Sequence, residues 1–333
     1  MSIRIVTGDC RTELAKLADA SVNCVVTSPP YFGQRDYGVA DQMGREPSPS
    51  EHIAEMVAVF REVRRVLRDD GTLWLNYADS WASKGWKAHA GKDGTPAGWD
   101  ANRRGQDQVS TVGDGVKERD LNGMSWMLAL ALRDDGWFLR DCIIWAKPNP
   151  MPSSVPNRTC PSHEYIFMLT KVGGGYYYDA EAIAEPISEV SAARLAQPTL
   201  QRQQGGPKQE VYASGETGQR AKSRKPADIL KALAADADPM RKRRSVWTVP
   251  VGSFAEAHFA TFPPDLIEPC IKAGCPEGGT VLDPFGGAGT TGLVADRLQR
   301  NAILIELNPD YAAMAKRRIE KDAALFASVE MVA

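Results

Sequence analysis

Apolar positions along the chain alternate between a two-residue period and a three-to-four-residue period, so strands and helices follow one another. Ile3, Ile5 and Val6 mark a first strand, and residues 12–21 make a short amphipathic stretch. Residues 22–27 (VNCVVT) form a β-branched run that Pro29 and Pro30 cut off, because proline cannot donate to a central ladder. Ser50 reads as an N-cap for a helix carrying Ile53, Met56, Val57, Phe60, Val63 and Leu67, with Gly71 as its stop. Residues 72–76 (TLWLN) then read as a strand. Further on, the pattern predicts a helix over 124–136 and strands over 138–147 and 163–171. The last third gives a helix at 263–274, a strand at 280–283, a helix at 290–299, a strand at 302–307 and a helix from 308. Helices alternating with strands predict an α/β fold, a doubly wound and mainly parallel sheet.

Two stretches break this texture. Residues 84–123 are rich in Gly, Asp and Lys and lack a core pattern, as a loop insertion does. From 187 to 245 the chain is poor in aromatics and rich in Gln, Gly, Lys and Arg. Between Arg194 and Arg244 there are 12 Lys+Arg against 5 Asp+Glu, a net of +7. The formal charge of the whole is −2, which leaves −9 for the rest. A basic segment set into an acidic body is the layout of a docking surface for a polyanion, although a solvated insertion has the same composition. The chain therefore divides into 1–186, a basic region 187–245, and 246–333.

Composition excludes other classes. The 333 residues are 43% hydrophobic and 25% charged, which is globular. There is no apolar run of membrane-spanning length and no secretory signal in MSIRIVTGDCRTEL, so a cytoplasmic protein is expected. The six cysteines form no CxxC pair and the four histidines are scattered, so no metal site is expected and the cysteines read as reduced and mostly buried.

Candidate chemistry lies at two strand ends. Strand 280–283 runs into Asp283-Pro284-Phe285-Gly286-Gly287-Ala288-Gly289-Thr290-Thr291, which opens a helix. Glycines let the backbone pass close under a ligand, and a helix N-terminus offers free N–H groups. The next strand ends in Glu306, 23 residues on, where a carboxylate can accept from both hydroxyls of a ribose. Gly287-Ala-Gly289-Thr-Thr-Gly292 also satisfies GxGxxG, the nicotinamide-dinucleotide pattern of an oxidoreductase. Against it, Asp283 and Phe285 stand where a pyrophosphate needs room and positive potential, and too little chain follows for a second nucleotide half. A ribose-bearing ligand with a compact, non-phosphate end, such as S-adenosylmethionine, fits better. The other strand end carries Thr27-Ser28-Pro29-Pro30-Tyr31. Here the prolines stiffen a loop whose carbonyl and Ser28 hydroxyl can accept both hydrogens of an exocyclic amine, while Tyr31 can stack on the ring bearing it. Such a base must first be flipped out of its duplex.

Taken together, TSPPY, IIWAKPN, SHEYIFMLTK, HFATFP, DPFGGAGTT and IELNPDY resemble the amino-methyltransferases of DNA, in the β order with the catalytic loop before the cofactor loop. The resemblance implies a Rossmann-like methyltransferase dependent on S-adenosylmethionine, site-specific for double-stranded DNA, with an inserted DNA-recognition region. Ser28, Pro29, Pro30 and Tyr31 would be the catalytic loop. Asp283, Pro284, Phe285, Gly287, Gly289 and Thr290 would cradle the methionine end, Glu306 the ribose and Asp9 the adenine amine, with Phe262 and Pro263 beside the cofactor. His258 receives no role, because Phe259 stands where the family often has proline. Arg220, Lys222, Arg224 and Lys225, with Arg241, Lys242, Arg243 and Arg244, are the expected phosphate contacts; Arg103 and Arg104 are the alternative. A cognate restriction endonuclease is a partner such enzymes can have, and the chain would act as monomer or homodimer. A carbon-directed cytosine methyltransferase needs a cysteine nucleophile after a proline, which this loop lacks. Protein- and RNA-directed relatives generally have the cofactor motif first. Serine beside the prolines accompanies cytosine N4 more often in this family, and aspartate adenine N6, so Ser28 favours cytosine.

Overall fold

The computed structural model of the chain describes residues 1–35, 38–39, 41–85, 110–188, 240–252, 262–322 and 328–332. One compact unit comprises residues 1–178 and 245–333, and a second comprises 179–244.

The first unit is built on a nine-stranded sheet in the order β11-β1-β10-β9-β2-β3-β5-β4-β8. Its strands are β1 (Ser2–Thr7), β2 (Val22–Thr27), β3 (Leu67–Tyr77), β4 (Phe138–Ala146), β5 (His163–Thr170), β8 (Val246–Thr248), β9 (Thr280–Asp283), β10 (Asn301–Glu306) and β11 (Ser328–Val332). From β11 to β3 every neighbour is parallel; β5 runs antiparallel between β3 and β4. This is the doubly wound, mainly parallel α/β sheet that the alternation predicts, and it is Rossmann-like. Helices α1 (Cys10–Glu13), α2 (Pro49–Val66), α3 (Met124–Asp134), α4 (Pro264–Gly274), α5 (Thr290–Arg297) and α6 (Pro309–Asp322) accompany it. Met56, Phe60 and Val63 of α2 are buried in one core cluster with Leu128 and Leu132 of α3 and Leu73 and Leu75 of β3. In the second unit the short strands β6 (Glu185–Pro186) and β7 (Met240–Arg241) pair antiparallel.

Two local expectations are corrected. Ser48, not Ser50, caps α2: Pro49 takes the first helical position, where its missing N–H costs nothing, and Ser48 Oγ accepts from the Glu51 N–H at 3.3 Å. Gly71 does not end that helix but lies inside β3, which begins at Leu67. A Cβ on Gly71 would stand 2.5 Å from the Leu67 side chain and 2.8 Å from the Asn23 carbonyl, so close packing rather than capping requires glycine there.

The sheet order brings β9 beside β2. The half of the sheet bearing the Gly-rich loop thus meets the half bearing the TSPPY loop. Both loops leave the carboxyl ends of parallel strands, and a crevice between adjacent strands at that edge is where open α/β sheets take ligands.

Candidate active site

A cavity of about 430 Å³ opens at these strand ends. Of the sequence-predicted residues, Asp9, Ser28, Pro29, Pro30, Tyr31, Phe262, Asp283, Pro284, Phe285, Gly287, Thr290 and Glu306 line it. Two do not follow the expectation. Pro263 is buried as the N-cap of α4. Gly289 sits at φ +76° as the N-cap of α5, and a Cβ there would stand 2.7 Å from the Ala315 Cβ. It lets α6 pack against the loop rather than opening room for a ligand.

Each carboxylate is held differently. Asp283 is buried and accepts from Thr27 Oγ1 and Thr291 Oγ1, both at 2.6 Å, and from the Phe285 N–H at 3.1 Å. Burial pushes its pKa up to about 6 despite these donors. Its oxygens are turned into the loop, so it shapes the 284–289 turn. Glu306 accepts from the Gly287 N–H at 2.7 Å and the Asn308 N–H at 2.9 Å, fastening the same turn to the end of β10. Burial raises its pKa too. Asp9 caps α1 and accepts from the Arg11 backbone and guanidinium; burial pulls its carboxyl upward, and these bonds with the Arg11 charge outweigh it, leaving the pKa lowered. Arg11 in turn donates to the Asp41 carbonyl at 2.9 Å, anchoring the loop that follows TSPPY. Thr290 accepts from Arg318 of α6 at 2.7 Å.

On the TSPPY-loop side, Ser28 Oγ donates to Tyr31 Oη at 3.1 Å. Tyr31 Oη lies 3.0 Å from Glu164 Oε2 and 3.3 Å from Asn76 Oδ1, and its ring centroid is 4.7 Å from that of Tyr77. Tyr77 Oη accepts from the Phe32 N–H at 3.1 Å and meets buried His52, which also bonds Glu46, so the segment after the prolines is held from below. Lys147 pairs with Glu164 and rests over the Trp145 ring, 4.4 Å from its centroid. Asn76, Lys147 and Glu164 were not singled out from sequence. The signal was present for Lys147 in IIWAKPN and for Glu164 in SHEYIFMLTK, and for Asn76 at the end of TLWLN, polar residues at strand ends otherwise made of apolar ones.

No activated thiol lines the cavity among the described residues. All six cysteines are free; Cys10, Cys24, Cys270 and Cys275 are buried, Cys142 half-buried and Cys160 exposed. Cys10 lines the cavity, but burial and the Asp9 charge push its thiol up to about 12, and burial holds Cys24 far above the ordinary range. Among the described residues no cluster of three or more metal-ligating side chains occurs, and no helix is long and apolar enough to cross a membrane.

In the second unit Glu185 Oε1 accepts from Arg241 Nε at 2.9 Å and from Arg244 Nε at 2.6 Å. Arg103, Arg104, Arg220, Lys222, Arg224, Lys225, His258 and Phe259 lie outside the described residues.

The family model described as DNA methylase, of the N6/N4 methyltransferases, matches residues 22–317. The type II methyltransferase M.XycI of Xanthomonas campestris pv. cyanopsidis is 42% identical over 315 residues, 94% of this chain and 86% of that one. M.SmaI of Serratia marcescens, also a type II methyltransferase, is 40% identical over 318 residues, 96% and 91% of the two chains. Among solved structures, the cytosine-N4-specific PvuII DNA methyltransferase shares the fold at TM-score 0.58 and 17% identity, over 97% of this chain and 93% of that one. The TTHA0409 protein of Thermus thermophilus, complexed with S-adenosyl-L-methionine, does so at 0.57 and 22%, over 99% and 100%. The chain belongs to the N6/N4 DNA methylase family and is a type II DNA methyltransferase.

Proposed function

We propose that the chain transfers a methyl group from S-adenosylmethionine to N4 of a flipped cytosine in double-stranded DNA. One observation carries the reading: an amine acceptor, Ser28, and a ribose acceptor, Glu306, line the same cavity, on loops from the two halves of one sheet. The chemistry of the lining fits the cofactor. Adenine and ribose bring N–H and O–H donors, and Asp9 and Glu306 offer carboxylate oxygens. Gly287 sits at φ +50°, and a Cβ on it would have no neighbour nearer than 3.9 Å, so its backbone leaves open space toward the cavity. When bound, S-adenosylmethionine supplies an electrophilic methyl group on a sulfonium sulfur.

The protein's part is orientation. Asp283 holds the 284–289 turn, Phe285, Gly287 and Thr290 receive the methionine end with Pro284, and Phe262 flanks the cofactor on a chain turned by Pro263. Ser28 and a proline carbonyl accept the hydrogens of the amine, which aims its nitrogen lone pair at the electrophile. Tyr31, fixed by its hydroxyl, stacks on the ring. Attack by an exocyclic nitrogen breaks the sulfur–methyl bond, leaves a thioether and releases the second amine proton to solvent; it needs no covalent enzyme intermediate, consistent with the cavity thiol Cys10 held protonated by burial. The neutral, short acceptor Ser28 favours cytosine over adenine. The basic region, with Lys242 and Arg243 beside the Glu185-paired Arg241 and Arg244, contacts phosphates, and a cognate restriction endonuclease is the partner this reading brings with it. Transfer of labelled methyl from S-adenosylmethionine to duplex DNA tests it. Wild-type protein should transfer label and Ser28→Ala should be slowed at least tenfold; full activity in the variant would remove Ser28 from the site.

A further inference from the structure

The direction of the hydrogen bonds behind Ser28 is set by a residue on another strand. A phenol has one proton to give. Besides Ser28 Oγ, Tyr31 Oη has two oxygens in reach, Glu164 Oε2 at 3.0 Å and Asn76 Oδ1 at 3.3 Å. The carboxylate is nearer, can only accept, and makes the stronger bond. Asn76 is itself committed: its Nδ2 donates to the same Glu164 oxygen at 3.1 Å and to the Tyr165 carbonyl at 3.0 Å. Tyr31 therefore gives its proton to Glu164, and its oxygen is left to accept the proton of Ser28 at 3.1 Å. The Ser28 hydroxyl then has no proton to present to the cavity, only lone pairs. A target amine approaching with two hydrogens meets an acceptor and never a competing donor. Lys147 pairs with the other Glu164 oxygen, Oε1, and supplies the counter-charge that lets a carboxylate sit at this depth.

We propose that Glu164 is a positioning residue of the methyl transfer, acting through Tyr31 to hold the Ser28 hydroxyl as a pure acceptor for the target amine. The inference rests on the functional reading above and extends it to a residue on β5 that a reading confined to the TSPPY loop would treat as sheet glue.

Glu164→Gln keeps the size and introduces an N–H₂ that can donate to Tyr31 and reverse the chain. The expected result is a single-turnover methylation rate at least tenfold lower, with affinity for S-adenosylmethionine unchanged within twofold. Glu164→Asp, still acceptor-only, should recover part of that rate. In a Tyr31→Phe background the Gln substitution should cost less than twofold more, because the hydroxyl it acts through is gone. A wild-type rate in Glu164→Gln, or an equal loss with and without Tyr31, would overturn the proposal. A second readout needs no turnover. In protein labelled with ¹³Cζ-tyrosine, the Tyr31 resonance, assigned by its loss in Tyr31→Phe, should move in Glu164→Gln and also in Ser28→Ala; a resonance that stays in place would overturn the proposal even if one variant fails to fold. If wild-type protein methylates no DNA, the functional reading falls, while the Tyr31 resonance still decides the hydrogen-bond chain.

Discussion

Thr27 Oγ1 donates to Asp283 Oδ1 at 2.6 Å, joining residues 256 positions apart in the chain. Thr27 ends β2 and is followed by the TSPPY loop; Asp283 ends β9 and is followed by the Gly-rich loop. This buried hydrogen bond joins the ends of the two strands from which the loops leave, beside the β2–β9 ladder where the halves of the sheet adjoin.

That bond has a pH signature. Asp283 has a folded pKa of about 6 against an ordinary 3.8, so between those values the folded protein holds a proton that the unfolded chain has released. Its contribution to stability is complete below about pH 4 and is lost as pH rises through 6, a change of about 3 kcal/mol at ~1.4 kcal/mol per pKa unit. Asp283→Asn does not titrate. The difference in unfolding free energy between wild type and this variant, from urea titrations at a series of pH values, should shift by about that amount against the wild type across the window. A difference independent of pH would mean that the carboxyl is not desolvated as described.

Glu306 tests the cofactor side. Its two oxygens accept from two backbone N–H groups, so in Glu306→Gln the amide must face one of them donor to donor. The turn at 284–289 should loosen and the ribose lose an acceptor. Calorimetry should show S-adenosylmethionine binding at least tenfold weaker, about 1.4 kcal/mol. Nicotinamide dinucleotide should give no heat with the wild type. Undiminished affinity in both Glu306→Gln and Glu306→Ala would remove Glu306 from the cofactor site.

For DNA, each phosphate contact removed should flatten the log–log salt dependence of binding by about 0.9. Replacing Arg241, Lys242, Arg243 and Arg244 with Gln should lower the slope measured by fluorescence anisotropy. An unaltered slope would move the docking surface elsewhere, to the insertion around Arg103 and Arg104 among other places.

Much of this was legible in the sequence, for identifiable reasons. Val22–Thr27, Thr280–Asp283 and Asn301–Glu306 announce themselves because parallel strands buried on both faces are short apolar runs with abrupt ends, and those ends line the cavity. Gly71 misled because one glycine can stop a helix or admit a neighbouring strand, and only the Leu67 and Asn23 contacts decide which. β11 (Ser328–Val332) was missed because a short edge strand with Glu330 at its centre has no strong period. Glu164 was quoted in a landmark yet given no role, since its partners Tyr31, Asn76 and Lys147 come from three separate strand ends and their meeting depends on the antiparallel insertion of β5.

The most direct measurement is the identity of the modified nucleoside. Duplex DNA methylated by the protein with S-adenosylmethionine is digested completely and its nucleosides resolved by mass spectrometry. The account predicts N4-methylcytosine. N6-methyladenine would contradict the choice of base while leaving the Ser28–Tyr31 loop as the amine holder; 5-methylcytosine, or no methylated nucleoside at all, would contradict the account itself.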